Sequence, residues 1–175
     1  ELWNKANGID DSKVEPNINE SKSISISETF SHDTDDIDFL KNILLRQVSE
    51  IGRKLRKKEL YAGTITVTYK TKDFQTYGQS KTLEYQISTN DEIYKAAINI
   101  LYKSWNFEKL RSIGVRLSNL TKDRLIQNDI FNKTEESIKK EKIDNAVDKI
   151  KDKYGIDIIN VASLYNGEKN ANKPK

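Results

Sequence analysis

Four acidic residues, Asp33, Asp35, Asp36 and Asp38, crowd around one point of the chain beside His32, its single histidine. Carboxylate oxygens at that density are what a hard divalent cation takes as ligands. The same residues also stand immediately before a long helical pattern. There, carboxylates cap the first free amides and meet the positive end of the helix dipole, and this is the role expected of them. His32 has no nucleophile or ligand set beside it and is expected to face solvent. With no cysteine in the chain, disulfides, thiolate metal sites and cysteine nucleophiles are excluded. Neither a catalytic residue nor a metal ligand is expected within these 175 residues.

A second pattern carries more chemistry. Ser23 and Ser25 alternate with Ile24 and Ile26, Thr64, Thr66, Thr68 and Lys70 with Ile65, Val67 and Tyr69, and Gly114, Arg116 and Ser118 with Ile113, Val115 and Leu117. Period-two alternation makes each segment a strand with one apolar face and one face of small hydroxyl and basic side chains. Short side chains let backbone amides approach a phosphate, and Lys and Arg supply charge. The charge distribution agrees. Residues 1–40 hold three Lys/Arg against ten Asp/Glu, whereas residues 41–124 hold 17 against eight. A basic middle suits a polyanionic partner, although a solvated lysine-rich surface produces the same count.

Helices separate these strands. After the acidic cluster, Ile37, Leu40, Leu44, Val48, Ile51 and Leu55 recur every three or four residues, which predicts one long helix with a single apolar stripe. Its end carries Arg53, Lys54, Arg56, Lys57 and Lys58, which reads either as a helix C-terminus in water, favourable at the negative end of the dipole, or as a DNA contact. The strand of residues 63–71 leads through a connection near Lys72–Gly78 to a partner whose inward residues are expected to be Leu83, Tyr85 and Ile87. Thr89 with Glu92 fits a capping box, opening a shorter helix with Ile93, Ala96, Ala97 and Ile100 on one side. The order is β-α-β-β-α-β, an α+β fold: a four-stranded antiparallel sheet with both helices on one face. A C-terminal extension follows, a helix from about Thr134 to Tyr154 with Ile143, Val147, Ile150 and Tyr154 sharing a face, then an apolar strand or docking segment, IDIINVASLY. Residues 1–20 read as the end of an element and a linker, 21–121 as the folded domain, and 122–175 as the extension with a disordered tail. No apolar run approaches the roughly 18 residues of a membrane helix, and no signal peptide is recognised, so a soluble protein is expected.

In this order and spacing, KSISISETF (22–30), GTITVTYKTKDFQT (63–76), QSKTL (79–83) and KLRSIGVRLSNL (109–120) resemble the little finger, the C-terminal domain of Y-family translesion DNA polymerases of the DNA polymerase IV and mutagenesis-protein type. The opening LWNKANGID resembles the end of the thumb domain of such enzymes. The resemblance implies a domain that lies in the DNA major groove and grips both backbones, in an error-prone DNA polymerase of the bacterial cytoplasm and nucleoid. Carried onto this chain, the DNA-binding residues are Ser23, Ser25, Lys70, Lys72, Lys81, Thr82, Arg111, Ser112, Gly114 and Arg116. Some relatives have a second Arg where Ser112 stands, which implies a weaker grip at that point. Primer-template DNA and the palm and thumb domains of the parent polymerase are the implied partners. The parent's magnesium and its catalytic carboxylates would belong to the palm, ahead of Glu1, so this chain is expected to be non-catalytic and to hold no cofactor.

Gln127-Asn128-Asp129-Ile130-Phe131 resembles the bacterial sliding-clamp-binding pentapeptide, in which Gln127 would anchor one end and Ile130 and Phe131 fill an apolar pocket. Asn128 stands where Leu is usual. The other reading is a loop with Ile130 and Phe131 packed on the domain's own helix. A stand-alone ferredoxin-like module, nucleic-acid-binding or purely protein-interacting, is the alternative for the whole chain. An RNA-recognition sheet would need stacking aromatics on its open face, and Tyr69 and Tyr85 share parity with the core instead.

Overall fold

The structure, a computed structural model, describes residues 2–10, 21–122 and 133–162. A short helix, α1 (Leu2–Ala6), opens the chain with Leu2 and Trp3 exposed. The sheet is formed by β1 (Ser23–Thr34), β2 (Tyr61–Thr71), β3 (Thr76–Ile87) and β4 (Leu110–Thr121). The strands run in the order β1-β4-β2-β3, and every pairing is antiparallel. Two helices, α2 (Ile37–Lys57) and α3 (Asn90–Ser104), cover one face, α2 over β1 and β4 and α3 over β2 and β3.

Local chemistry sets the helix starts. Asp36 is the N-cap of α2, its carboxylate accepting from the backbone amides of Asp38 (2.9 Å) and Phe39 (3.2 Å). Asp38 bonds Lys41 at 3.3 Å and Asp33 bonds Arg111 at 3.2 Å, so three of the four clustered acids have structural partners. Thr89 caps α3 by accepting from the Glu92 amide at 3.3 Å while its hydroxyl donates to the Glu92 carboxylate at 2.6 Å. The core lies between helices and sheet: Leu40, Leu44, Val48, Ile51 and Leu55 of α2 and Ile93, Ala97, Ile100 and Leu101 of α3 meet Ile65, Val67, Tyr69, Ile113, Val115 and Leu117. Buried together, such side chains contribute about 1.5–3 kcal/mol each.

The extension departs from its expected packing. The helix α4 (Lys133–Tyr154) packs against α2, but Ile143 and Tyr154 are exposed. The side turned to the domain is polar instead: Ser137 donates to Glu92, Lys140 to Asp91, and Asp144 accepts from the Asn90 amide at 2.8 Å. The cause is Arg56. It does not end α2 in water as its position in a basic run suggests; its side chain is only 3% exposed and is gripped by Asp148 at 2.7 and 3.1 Å, with Asp144 at 3.4 Å and the Ser88 carbonyl at 2.7 Å. A buried guanidinium left unpaired is costly, so α4 must present its carboxylates inward and its isoleucines outward. Beyond Tyr154, residues 155–162 form turns and no strand, with Ile156, Ile158 and Val161 exposed.

Candidate nucleic-acid interface

Strand register converts the alternation into a surface. On the face away from the helices the paired residues line up in four rows across the sheet. They are Ser23–Ser118–Thr64–Thr82, Ser25–Arg116–Thr66–Ser80, Ser27–Gly114–Thr68–Gly78 and Thr29–Ser112–Lys70–Thr76. The array contains no acidic and no large apolar residue. Its hydroxyls are already ordered: Thr66 Oγ1 and Ser80 Oγ lie 2.8 Å apart, and Arg116 donates to Ser23 Oγ at 3.0 Å. That contact leaves the remaining donors of the Arg116 guanidinium pointing from an exposed strand position, the fork that suits a phosphate.

The third row holds two glycines. A Cβ on Gly114 would lie 2.7 Å from the Ser27 Cβ and 2.8 Å from the Ile26 carbonyl oxygen, so only glycine lets β1 and β4 approach so closely. Two strands further, on β3, a Cβ on Gly78 would lie 3.3 Å from the Thr68 Cγ2.

Of the residues expected at this interface, Ser23, Ser25, Lys70, Thr82, Ser112, Gly114 and Arg116 share the array. Lys72 follows the end of β2, exposed in the turn, its amide bonded to the Lys109 carbonyl at 3.0 Å. Lys81 does not belong. Its register partner is Ile65, a core residue, so it stands on the helix side of β3, in a cleft of about 440 Å³ shared with Asn99 and Lys103. Arg111 is also off the array. It is the extra residue of a β-bulge, because Ser112 pairs with Lys70 while Leu110 pairs with Thr71, the next residue of β2. Its guanidinium is held by Asp33 and lies 4.4 Å from the centre of the Phe74 ring. Ser27, Thr29, Thr76, Gly78 and Ser80 were missed as interface residues, although their parity with Ser25 and Thr82 signals the same face.

Tyr85 departs from expectation too. Five steps of β3 span only two of β2 between the pairs Ala62–Ile87 and Thr64–Thr82, and this irregularity leaves Tyr85 exposed while Ile87 stays in the core. Tyr69 faces inward and donates to the Ser104 carbonyl at 2.6 Å. No aromatic side chain occupies the four rows of the array. His32 is exposed beside Ser31. Gln127, Ile130 and Phe131 lie outside the described residues.

A family model described as the C-terminal domain of the impB/mucB/samB family matches residues 21–130. The chain belongs to that family. Its little-finger resemblance to Y-family polymerases is borne out by curated relatives. The chain is 34% identical to the DNA polymerase IV of Oceanobacillus iheyensis over 99% of its own length and 42% of the relative's. It is 32% identical to that of Clostridium acetobutylicum, over 90% and 40%. The chain therefore spans about two fifths of the length of these relatives. Among solved structures, a binary complex of Dbh DNA polymerase shares the fold at a TM-score of 0.51 and 24% identity, over 70% of this chain and 35% of that one. The impB/mucB/samB match begins two residues before β1 and covers all four strands and both core helices.

Proposed function

We propose that this domain grips primer-template DNA through the open sheet face, as the little finger of an error-prone DNA polymerase acting in translesion synthesis. The observation that carries this reading is the array itself: four rows of Ser, Thr, Gly, Lys and Arg without one carboxylate. A surface of that composition offers donors to phosphate oxygens, contacts that carry no sequence information, so it holds DNA with little sequence preference. The polymerase reaction is assigned to the palm domain of the whole protein. Among the described residues no three His, Cys, Asp or Glu side chains are grouped to hold a metal. The part of this chain in that reaction is to hold the substrate. In the bacterial cell this places the domain at the nucleoid.

Gln127–Phe131, directly after the last strand, we assign to the sliding clamp, which would keep the polymerase on its template. Phe131→Ala should then abolish capture on immobilised clamp and leave the melting temperature unchanged. A large drop in melting temperature with capture intact would assign Phe131 to this domain's own packing.

The DNA grip is tested by titrating the chain with duplex DNA at several salt concentrations. Log affinity should fall linearly with log salt, with a slope near −0.9 per neutralised phosphate. Arg116→Ala should weaken binding, reduce that slope by about one contact, and leave thermal stability unaltered. Salt-independent binding, or strong preference between duplex sequences, would defeat the assignment.

A further inference from the structure

The last row of the array, Thr29–Ser112–Lys70–Thr76, borders one end of the sheet. Two turns meet there, the β2–β3 turn and the α3–β4 loop, joined by the Lys72 amide to the Lys109 carbonyl at 3.0 Å. Each carries a phenylalanine in solvent, Phe74 63% exposed and Phe107 59%. Each also holds that phenylalanine in the left-handed region, with φ of 62° and 64°. A bulky side chain there is strained, and glycine would sit without cost. Neither ring belongs to the buried core cluster.

Both rings are braced. Phe74 is stacked by Arg111, which Asp33 fixes in place; Phe107 lies 4.8 Å from the ring of buried Trp105, whose indole N–H donates to the Glu108 carbonyl at 2.8 Å. The two turns and the strand ends that enter them carry Lys70, Lys72 and Lys109, against Asp73 and Glu108. Rigid aromatic faces beside cations form the usual platform for the bases of a single strand. The platform continues the phosphate-facing array where the sheet stops.

We propose that this end of the sheet stacks unpaired bases of a DNA strand that leaves the gripped duplex, with Phe74 as the first platform and Phe107 as the second. The inference rests on the DNA-binding reading above and adds a preference that the array does not supply: single-strand–duplex junctions over blunt duplex. Stacking uses the face of any base, so the preference is independent of sequence.

The test compares the whole 175-residue chain on a blunt duplex, on the same duplex with a 5′ single-stranded overhang, and on a single-stranded oligonucleotide, each unpaired strand carrying 2-aminopurine. The overhang should raise affinity about 5- to 150-fold, the range for one stacked base, and 2-aminopurine fluorescence should change on binding. Phe74→Gly should lower overhang affinity toward the blunt value, by the share of the first stacked base, and leave blunt binding alone. Because glycine relieves the strained φ, the variant should melt no lower than the parent, so lost stacking cannot be mistaken for misfolding. Equal affinity of the parent for blunt and overhang DNA would overturn the proposal. So would an equal loss on both duplexes in Phe74→Gly. A chain that fails on blunt duplex yet perturbs 2-aminopurine in the single strand keeps the platform and loses the phosphate grip; one that does neither loses both.

Discussion

The two core helices and α4 are attached to the same domain by opposite means. Helices α2 and α3 bury leucine and isoleucine against the sheet, whereas the only buried described residue of α4 is Lys151. What holds α4 is Arg56 to Asp148 and Asp144, Arg53 to Asp152 at 2.6 Å, Lys140 to Asp91 at 2.8 Å and the bonds of Asp144 to Asn90. Apolar burial is insensitive to salt, while exposed ion pairs are screened and contribute about 0–1 kcal/mol apiece. The sheet with its two helices is therefore the folding unit. Helix α4 is a separately releasable element, fixed at one deeply buried guanidinium and at several screened pairs.

The largest effect should come from the apolar side. Leu44→Ala removes a fully buried side chain in the centre of α2 and should cost about 2–5 kcal/mol, read as a lowered midpoint of one cooperative unfolding transition. A loss confined to α4 would mean that the helices are not separate units after all. Arg56→Leu should act in the reverse pattern. It strands Asp144 and Asp148 against an apolar side chain, so α4 should leave, and its amides should exchange at the rate of a free helix. The rest of the domain loses chiefly the partner of the Ser88 carbonyl, about 1–3 kcal/mol. Intact protection of α4 in this variant would break the comparison.

The core was legible in the sequence because burial there follows periodicity. Ile65, Val67 and Tyr69, and Leu40, Leu44, Val48, Ile51 and Leu55, fall on the buried faces that their spacing predicts. Most of the array was legible for the same reason, being the other parity of the same strands. Parity fails where register slips. Arg111 is the residue a bulge adds, and Tyr85 lies in the stretch of β3 that outruns β2. No local pattern marks either irregularity. Lys81 kept its parity, and a lysine at an apolar position of an edge strand was read by type instead of by place. Helix α4 misled for another reason. Its apolar residues repeat with helical period, and so do Ser137, Lys140, Asp144, Asp148 and Lys151; the choice between the two faces depends on Arg56 being buried, a fact of tertiary structure.

The smallest effect, and the sharpest on α4, is its response to acid. Burial pushes Asp91 up, but Lys140 and Lys95 overrule it and hold the carboxyl below the usual 3.8. The bond to Lys140 likewise holds Glu136 below its usual 4.5, but that pair lies within α4 and steadies the helix itself, so the docking share is that of Asp91 with Lys140. A depressed carboxylate stabilises the docked state above its ordinary value, and the contribution is lost as pH falls through the depressed value. Asp144 runs the other way: burial raises it above 3.8, against the opposing Asn90 amide and Arg56. Its protonation favours the docked state, so the penalty of burying it as an anion is relieved as pH falls from neutral through the raised value. Docking should therefore tighten slightly on mild acidification and loosen only below about pH 4, the range of free carboxyls. Backbone amide shifts of Asn90 and of α4, followed from pH 7 to pH 3 by NMR, measure this directly. Steady loosening from neutrality would show that Asp144 contributes no buried charge. No change in α4 before the core itself melts would place its attachment in contacts other than these pairs, and the division between an apolar folding unit and an electrostatic appendage would fall with it.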